Sequence, residues 1–193
     1  AVVAALGIIA LNQPPQPVGE FTAVQPKTWP LQTGRALGPQ DAKVNLLLFS
    51  DFQCPYCKAF QPDLDKVLDA YDGKVLYIYK HLPLVSIHHQ AESAALAASC
   101  AHEQGKFRTY ADYLFRKQDE WSKRSDTQFF KNYAWYLRLD GRAFAKCLDE
   151  KRYQGQIEAD MAEAEKMTDR VAILLRGKIV AEGTPRELTA TGS

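Results

Sequence analysis

The stretch NLLLFSDFQCPYCKAF, residues 45–60, limits the fold more than any other part of the chain. Residues 44–49 form an apolar run of strand length, broken only by Asn45, which predicts a strand buried on both faces. A helical pattern follows from Cys54: Phe60, Leu64, Val67, Leu68 and Tyr71 recur on one face, and Asp72-Gly73 offers a left-handed stop. Residues 75–79, VLYIY, read as the next strand. Strand, helix and strand in this order imply a parallel pair joined by a right-handed crossover.

Beyond His81 the pattern turns helical, with helices expected over 90–103, 107–116, 126–139 and 142–151. Ser125/Asp126 and Asp140 are placed to cap the last two. A further helix over 156–167 leads to VAILLRGKIVAEG, two apolar runs about Arg176-Gly177 that read as a hairpin. Ahead of all this, residues 12–40 hold six prolines and no sustained period, which predicts a linker with one short strand near 31–37. Residues 1–11, AVVAALGIIAL, carry no charge. They are too few to cross a bilayer, which takes about 20, but suit the core of a signal peptide or the tail of a membrane anchor; an ordinary terminal helix or strand is the alternative.

With 193 residues, 46% of them hydrophobic, the chain is long enough for one well-cored domain. Its 24 Lys and Arg against 23 Asp and Glu leave a net charge of +1, so a polyanionic partner such as nucleic acid is not expected.

Four cysteines remain to be explained, and Cys54 and Cys57 form a CxxC. Half of a structural zinc site is one reading, but zinc takes four ligands and no second CxxC or HxxxH exists, so no metal is expected. An inert staple is another, but a disulfide closing so short a loop gains little chain entropy. Thiol–disulfide exchange fits best. A cysteine where a strand passes into a helix faces the unpaired N–H groups of the first turn, which favour thiolate over thiol. Cys54 is therefore expected as the attacking and leaving thiolate, and Cys57, one turn further in and more buried, as the resolving thiol. Pro55 occupies a position that needs no donor, and Tyr56 provides a rim for substrate.

The segments LGPQDAKVNLLLFSDFQCPYCKAFQP and HLPL…IHHQAESAALAASCAHEQGKF closely resemble the DsbA-like family of thiol:disulfide oxidoreductases. The likeness runs from about residue 38 to 167 and includes Pro62, five residues past Cys57, where helices of this fold kink. It implies an α/β thioredoxin-like fold with an inserted α-helical domain. On that pattern residues 1–12 are a signal or anchor remnant, 13–40 a linker, 41–82 and 154–193 the thioredoxin-like domain, and 83–153 the insert. It also implies a periplasmic or otherwise extracytoplasmic enzyme, with no cofactor, that forms disulfides in unfolded or secreted polypeptides and is reoxidised by a membrane redox partner. A reductase or isomerase, or a binding module with a vestigial CxxC, are the alternatives. Some members carry a second disulfide in the insert, which Cys100 and Cys147 would reproduce; two buried free cysteines are the other reading.

Two departures from the family stand out. Many relatives place a glutamate six residues before the first cysteine, where this chain has Leu48, so proton transfer from Cys57 falls to water or to Asp51, which otherwise reads as a turn carboxylate. Relatives also carry Gly-Thr-Pro with a cis proline before the final hairpin. Here Arg170 and Val171 take that place and predict an altered, trans loop, because a cis bond before a non-proline residue costs about 2.5 to 4 kcal/mol. Gly183-Thr184-Pro185 comes only after the hairpin. The tail DRVAILLRGKIVAEGTPREL instead resembles the end of ABC-transporter ATPase subunits, without the Walker A motif that ATP binding needs.

His88 and His89 read as a solvated helix start, with a place near the cysteines as the alternative. Trp121, Trp135, Phe129, Phe130, Tyr133 and Tyr136 are expected to fill the helical core, some of them lining a peptide groove beside Cys54.

Overall fold

The computed structural model of the protein describes residues 35–167, 171–175 and 178–183. Along the chain run β1 (Arg35–Leu37), β2 (Val44–Ser50), α1 (Pro55–Ala70), β3 (Val75–His81), α2 (Ala91–Glu103), α3 (Phe107–Arg116) and α4 (Gln118–Trp121). They are followed by α5 (Gln128–Tyr136), α6 (Gly141–Asp149), α7 (Gln154–Met167), β4 (Val171–Leu175) and β5 (Lys178–Gly183). The expected signal or anchor segment 1–12, the linker up to residue 34, Arg170, Arg176-Gly177, Thr184-Pro185 and the rest of the tail lie outside the described residues. No helix among the described residues is long and apolar enough to cross a membrane.

β3 is the centre of a three-stranded sheet in the order β1-β3-β2. It pairs antiparallel with β1, Arg35 opposite Tyr79, and parallel with β2, from Val44 opposite Val75 to Ser50 opposite His81. The parallel pair about α1 is the one the sequence predicts. The fully buried strand is β3, however, and not β2. Val44 and Asn45 are exposed and residues 46–49 are half-buried, because β2 has a strand partner on one side only among the described residues. β1 leaves the sheet at Gly38, whose φ of +104° and close approach to the Val75 carbonyl leave no room for a Cβ. β4 and β5 pair antiparallel, as the two apolar runs about residues 176–177 imply.

α1 meets the sheet along Cys57, Leu64 and Leu68. Phe60, Val67 and Tyr71, which the periodicity places on the same face, are exposed. Each is three residues past an inward position, which carries it about 60° round a helix of 3.6 residues per turn. Pro62 lies inside α1, where it has no N–H to return to the Lys58 carbonyl. α2 is buried nearly all round through Ala94, Ala95, Ala97, Ala98 and Ala101, and small side chains there let its neighbours approach closely. A disulfide joins Cys100 of α2 to Cys147 of α6, Cα to Cα 5.9 Å. Asp140 caps α6 by accepting from the N–H groups of Arg142 and Ala143, as expected. The N-cap of α5 is Thr127, not Ser125 or Asp126, although the Asp126 carboxylate still accepts from Gln128 N–H.

Trp121, Phe129 and Phe130 fill the helical core, while Trp135 (76% exposed) and Tyr136 (65%) point outward. α5 spends its inward positions on Phe129, Phe130 and Ala134, leaving these two on the far side.

Charge is buried as well. Arg35 reaches Asp160 at 3.4 Å and Ser99 Oγ at 2.6 Å, and Lys80 lies 3.3 Å from Asp160 and 2.9 Å from Glu163. Asp160 also accepts the His81 N–H. These contacts tie β1, β3 and α7 together, and such ions persist in an interior only as a paired set.

Candidate active site

The turn before α1 is built from one carboxylate. Asp51, 3% exposed, accepts the Gln53 N–H through Oδ1 at 2.7 Å, and its own carbonyl accepts the Cys54 N–H at 3.2 Å. The turn delivers Cys54 to the N-cap position in extended conformation, followed by Pro55 at N1. An N-cap side chain ordinarily offers an oxygen to the N–H groups two and three residues on. Cys54 has no oxygen to offer and makes no capping hydrogen bond, so its sulfur stands beside the open N–H groups of the first turn.

The consequence is a divided pair of thiols. Cys54 is lowered to about 7 from an ordinary value of 9.0; the Cys57 thiol hydrogen-bonded to its sulfur is the main cause, with the N–H groups of Cys57 and Tyr56 adding to it. Burial and the nearby Asp51 charge oppose the shift without reversing it. Cys57 is pushed well above the ordinary range, because it gives its proton to the Cys54 sulfur and is itself desolvated. The Ser50 hydroxyl and the Asp51 N–H, both donating to the Cys57 sulfur, act the other way. Helix N–H groups were expected to lead in holding the Cys54 anion; they contribute, but the partner thiol comes first.

As whole residues Cys54 is 2% exposed and Cys57 half-buried, but burial weighs more on the Cys57 thiol, which lies on the face of α1 that meets the sheet, as expected of the resolving sulfur.

α4, a single turn that carries no readable period, holds the loop from behind. The Gln118 side-chain N–H₂ donates to the Phe52 carbonyl at 2.7 Å and to the Cys54 carbonyl at 3.0 Å. The Gln53 amide bonds Gln90 N–H (2.7 Å) and the Ser122 carbonyl (3.0 Å). None of these glutamines stands out in the sequence, since the type is common on solvated helices.

His88 is not solvated. Its Nδ1 is 2.7 Å from Asp51 Oδ2, which also accepts the Leu84 N–H at 2.9 Å, so it is drawn to the cysteine loop by a carboxylate 37 residues away. His89 stays exposed, near the Arg124 carbonyl. Leu48 faces Tyr79 in the β2–β3 register, and Tyr79 Oη donates to the Ser50 carbonyl at 3.4 Å. Val171 begins β4, while its neighbour Arg170 lies outside the described residues. Among the described residues no three His, Cys, Asp or Glu side chains gather as a metal site.

A family model described as thioredoxin matches residues 31–188. Among curated proteins, the chain is 38% identical over 128 residues to the Na(+)/H(+) antiporter NhaA 3 of Salinispora tropica, covering 66% of this chain and 19% of that protein. It is 34% identical to NhaA 1 of Salinispora arenicola with the same coverage, so it spans about a fifth of the length of these relatives. Among solved structures it is similar to alpha-DsbA1 of Wolbachia pipientis, with a TM-score of 0.62 and 25% identity over 71% of this chain and 70% of that one. MdbA, a thiol-disulfide oxidoreductase from Corynebacterium diphtheriae, shares the fold at a TM-score of 0.61 and 19% identity, over 81% and 88% of the two chains.

Proposed function

This chain belongs to the thioredoxin family, and on that premise we propose that it is a thiol:disulfide oxidoreductase that forms disulfides in unfolded or secreted polypeptides through Cys54 and Cys57. One observation carries the reading: the sulfur at the N-cap of α1 is lowered to about 7 while its partner is pushed up, so Cys54 ionises first. A thiol with a low pKa is a good leaving group, so a mixed disulfide through Cys54 resolves in favour of the substrate disulfide.

In the forward direction a substrate thiolate attacks Cys54 Sγ of the oxidised pair, the 54–57 bond breaks, and Cys57 leaves and takes up a proton. A second substrate thiolate then attacks the substrate sulfur bonded to Cys54, forming the substrate disulfide and releasing Cys54 as a thiolate. The substrate loses two electrons, which reside in the dithiol until a membrane redox partner accepts them and restores the disulfide. Asp51, fully engaged by N–H donors, serves proton transfer from Cys57 only as a fixed charge beside it, with water as the carrier.

Residues 41–82 and 154–193 act as the thioredoxin-like domain and 83–153 as its helical insert. An extracytoplasmic setting is supported by the Cys100–Cys147 bond, since disulfides persist in oxidising compartments. The apolar segment 1–11 and antiporter relatives much longer than this chain support a domain tethered at a membrane. The test is oxidation of a reduced, unfolded protein by wild type, Cys54→Ser and Cys57→Ser. With oxidised glutathione as the terminal oxidant, turnover by wild type, none by Cys54→Ser and a trapped mixed disulfide with Cys57→Ser are expected; turnover surviving in Cys54→Ser rejects the reading.

A further inference from the structure

We propose that Gln118 is a positioning residue for the exchange reaction: its buried amide fixes the Cys54 backbone so that the first N–H groups of α1 face the Cys54 sulfur. This inference rests on the proposed role of Cys54. Both Nε2 hydrogens of Gln118 are used, one on the Phe52 carbonyl and one on the Cys54 carbonyl, and the side chain is 3% exposed. The Cys54 carbonyl also receives the Lys58 N–H at 3.1 Å, the opening bond of α1, so Gln118 holds the point where loop becomes helix.

Its support is rigid. Next along α4, Trp121 is fully buried, donates through Nε1 to the Leu114 carbonyl at 2.8 Å and stacks on Phe129. Gln118 and Gln53, whose amide bonds the Gln90 N–H and the Ser122 carbonyl, thereby link the helical segment to the redox loop. The exposed Lys58–Asp119 ion pair beside it, 2.7 Å, contributes little by comparison.

The Cys54 sulfur makes no capping hydrogen bond but stands at the N-terminal end of α1, where the N–H groups of Tyr56 and Cys57 favour its anion more than a disulfide sulfur. A side chain that keeps them aligned therefore stabilises the dithiol form more than the disulfide form. That difference is what a reduction potential reads and what a purely structural contact leaves unchanged.

The experiment is equilibration with glutathione of wild type, Gln118→Ala and Gln118→Glu, with thiolate titration and thermal melts of both redox forms. Gln104→Ala is the control, since Gln104 clasps Asp140 at the start of α6 in a similar way. Loss of Gln118 is expected to move the equilibrium constant about tenfold toward the disulfide, a fall of about 30 mV, and to raise the Cys54 pKa. Gln104→Ala is expected to move neither. Gln118→Glu keeps the shape, loses both donors and adds a charge, so its shift is at least as large. If Gln118→Ala does not fold, Gln118→Glu decides. A cooperatively folded Gln118 variant with the wild-type potential and thiol titration overturns the inference. The shift is read relative to wild type, so a wild-type couple below about −300 mV counts against the proposed function, while the role of Gln118 is still decided by the variants.

Discussion

His88 Nδ1 and Asp51 Oδ2 lie 2.7 Å apart, joining the loop ahead of α2 to the turn that carries Cys54. Asp51 thus accepts three N–H donors, those of Gln53, Leu84 and His88, while its charge opposes the Cys54 thiolate. Asp51→Asn removes that charge and spoils part of the acceptor set. The Cys54 pKa is expected to fall below about 7, and stability to drop by about 1–3 kcal/mol from the unsatisfied donors. Thiolate absorbance and urea unfolding read the two effects separately.

The same thiolate makes stability depend on pH. Cys54 has a folded value of about 7 against 9.0 ordinarily, so its contribution is fully present above the unfolded value and is lost as pH falls through about 7. Cys57, shifted upward, acts in the opposite sense only above the ordinary thiol range, and the oxidised pair does not titrate. The dithiol form should therefore gain about 2–3 kcal/mol on the disulfide form between about pH 6 and 9. Urea unfolding of both forms at each pH, in a Cys100→Ala, Cys147→Ala background that prevents exchange with the second pair, checks this. A constant difference across the range contradicts it.

The second disulfide closes a loop of sequence separation 47 between two buried positions. Loop entropy gives it about 4 kcal/mol. The double alanine variant should remain folded at low temperature with a lower denaturant midpoint, measured by circular dichroism, and its 54–57 couple should be unchanged.

Asp160 answers for Arg35, Lys80 and the His81 N–H at once. Asp160→Ala leaves two buried cations with reduced pairing and should cost about 3–5 kcal/mol. Asp160→Asn should cost less, because it keeps an acceptor for the His81 N–H. Denaturant unfolding ranks the two; both remove the charge, so an Asp160→Asn variant as stable as wild type argues against an ionic origin.

Much of this architecture is legible in the sequence where the signal is local. The CPYC after an apolar run gives the strand and the helix start, and α3 begins and ends where its pattern does. What is lost depends on distant partners. Burial of β2 and β3 depends on which has neighbours on both sides, and two similar apolar runs do not reveal this. His88 is placed by Asp51, and Gln118 by two carbonyls of the loop, so neither shows in periodicity or spacing. Trp135 and Tyr136 face outward against expectation because hydrophobicity does not say which side of a short amphipathic helix faces in. The Cys100–Cys147 pair is legible only through family resemblance.

An N-cap sulfur that ionises before its neighbour underlies the whole mechanism. Absorbance at 240 nm of the reduced protein, with the oxidised protein subtracted, follows that ionisation as pH is raised. One thiolate appearing with a midpoint of about 7, and the second only far above it, is the predicted result. Two thiols ionising together near the ordinary value of 9.0 would contradict it.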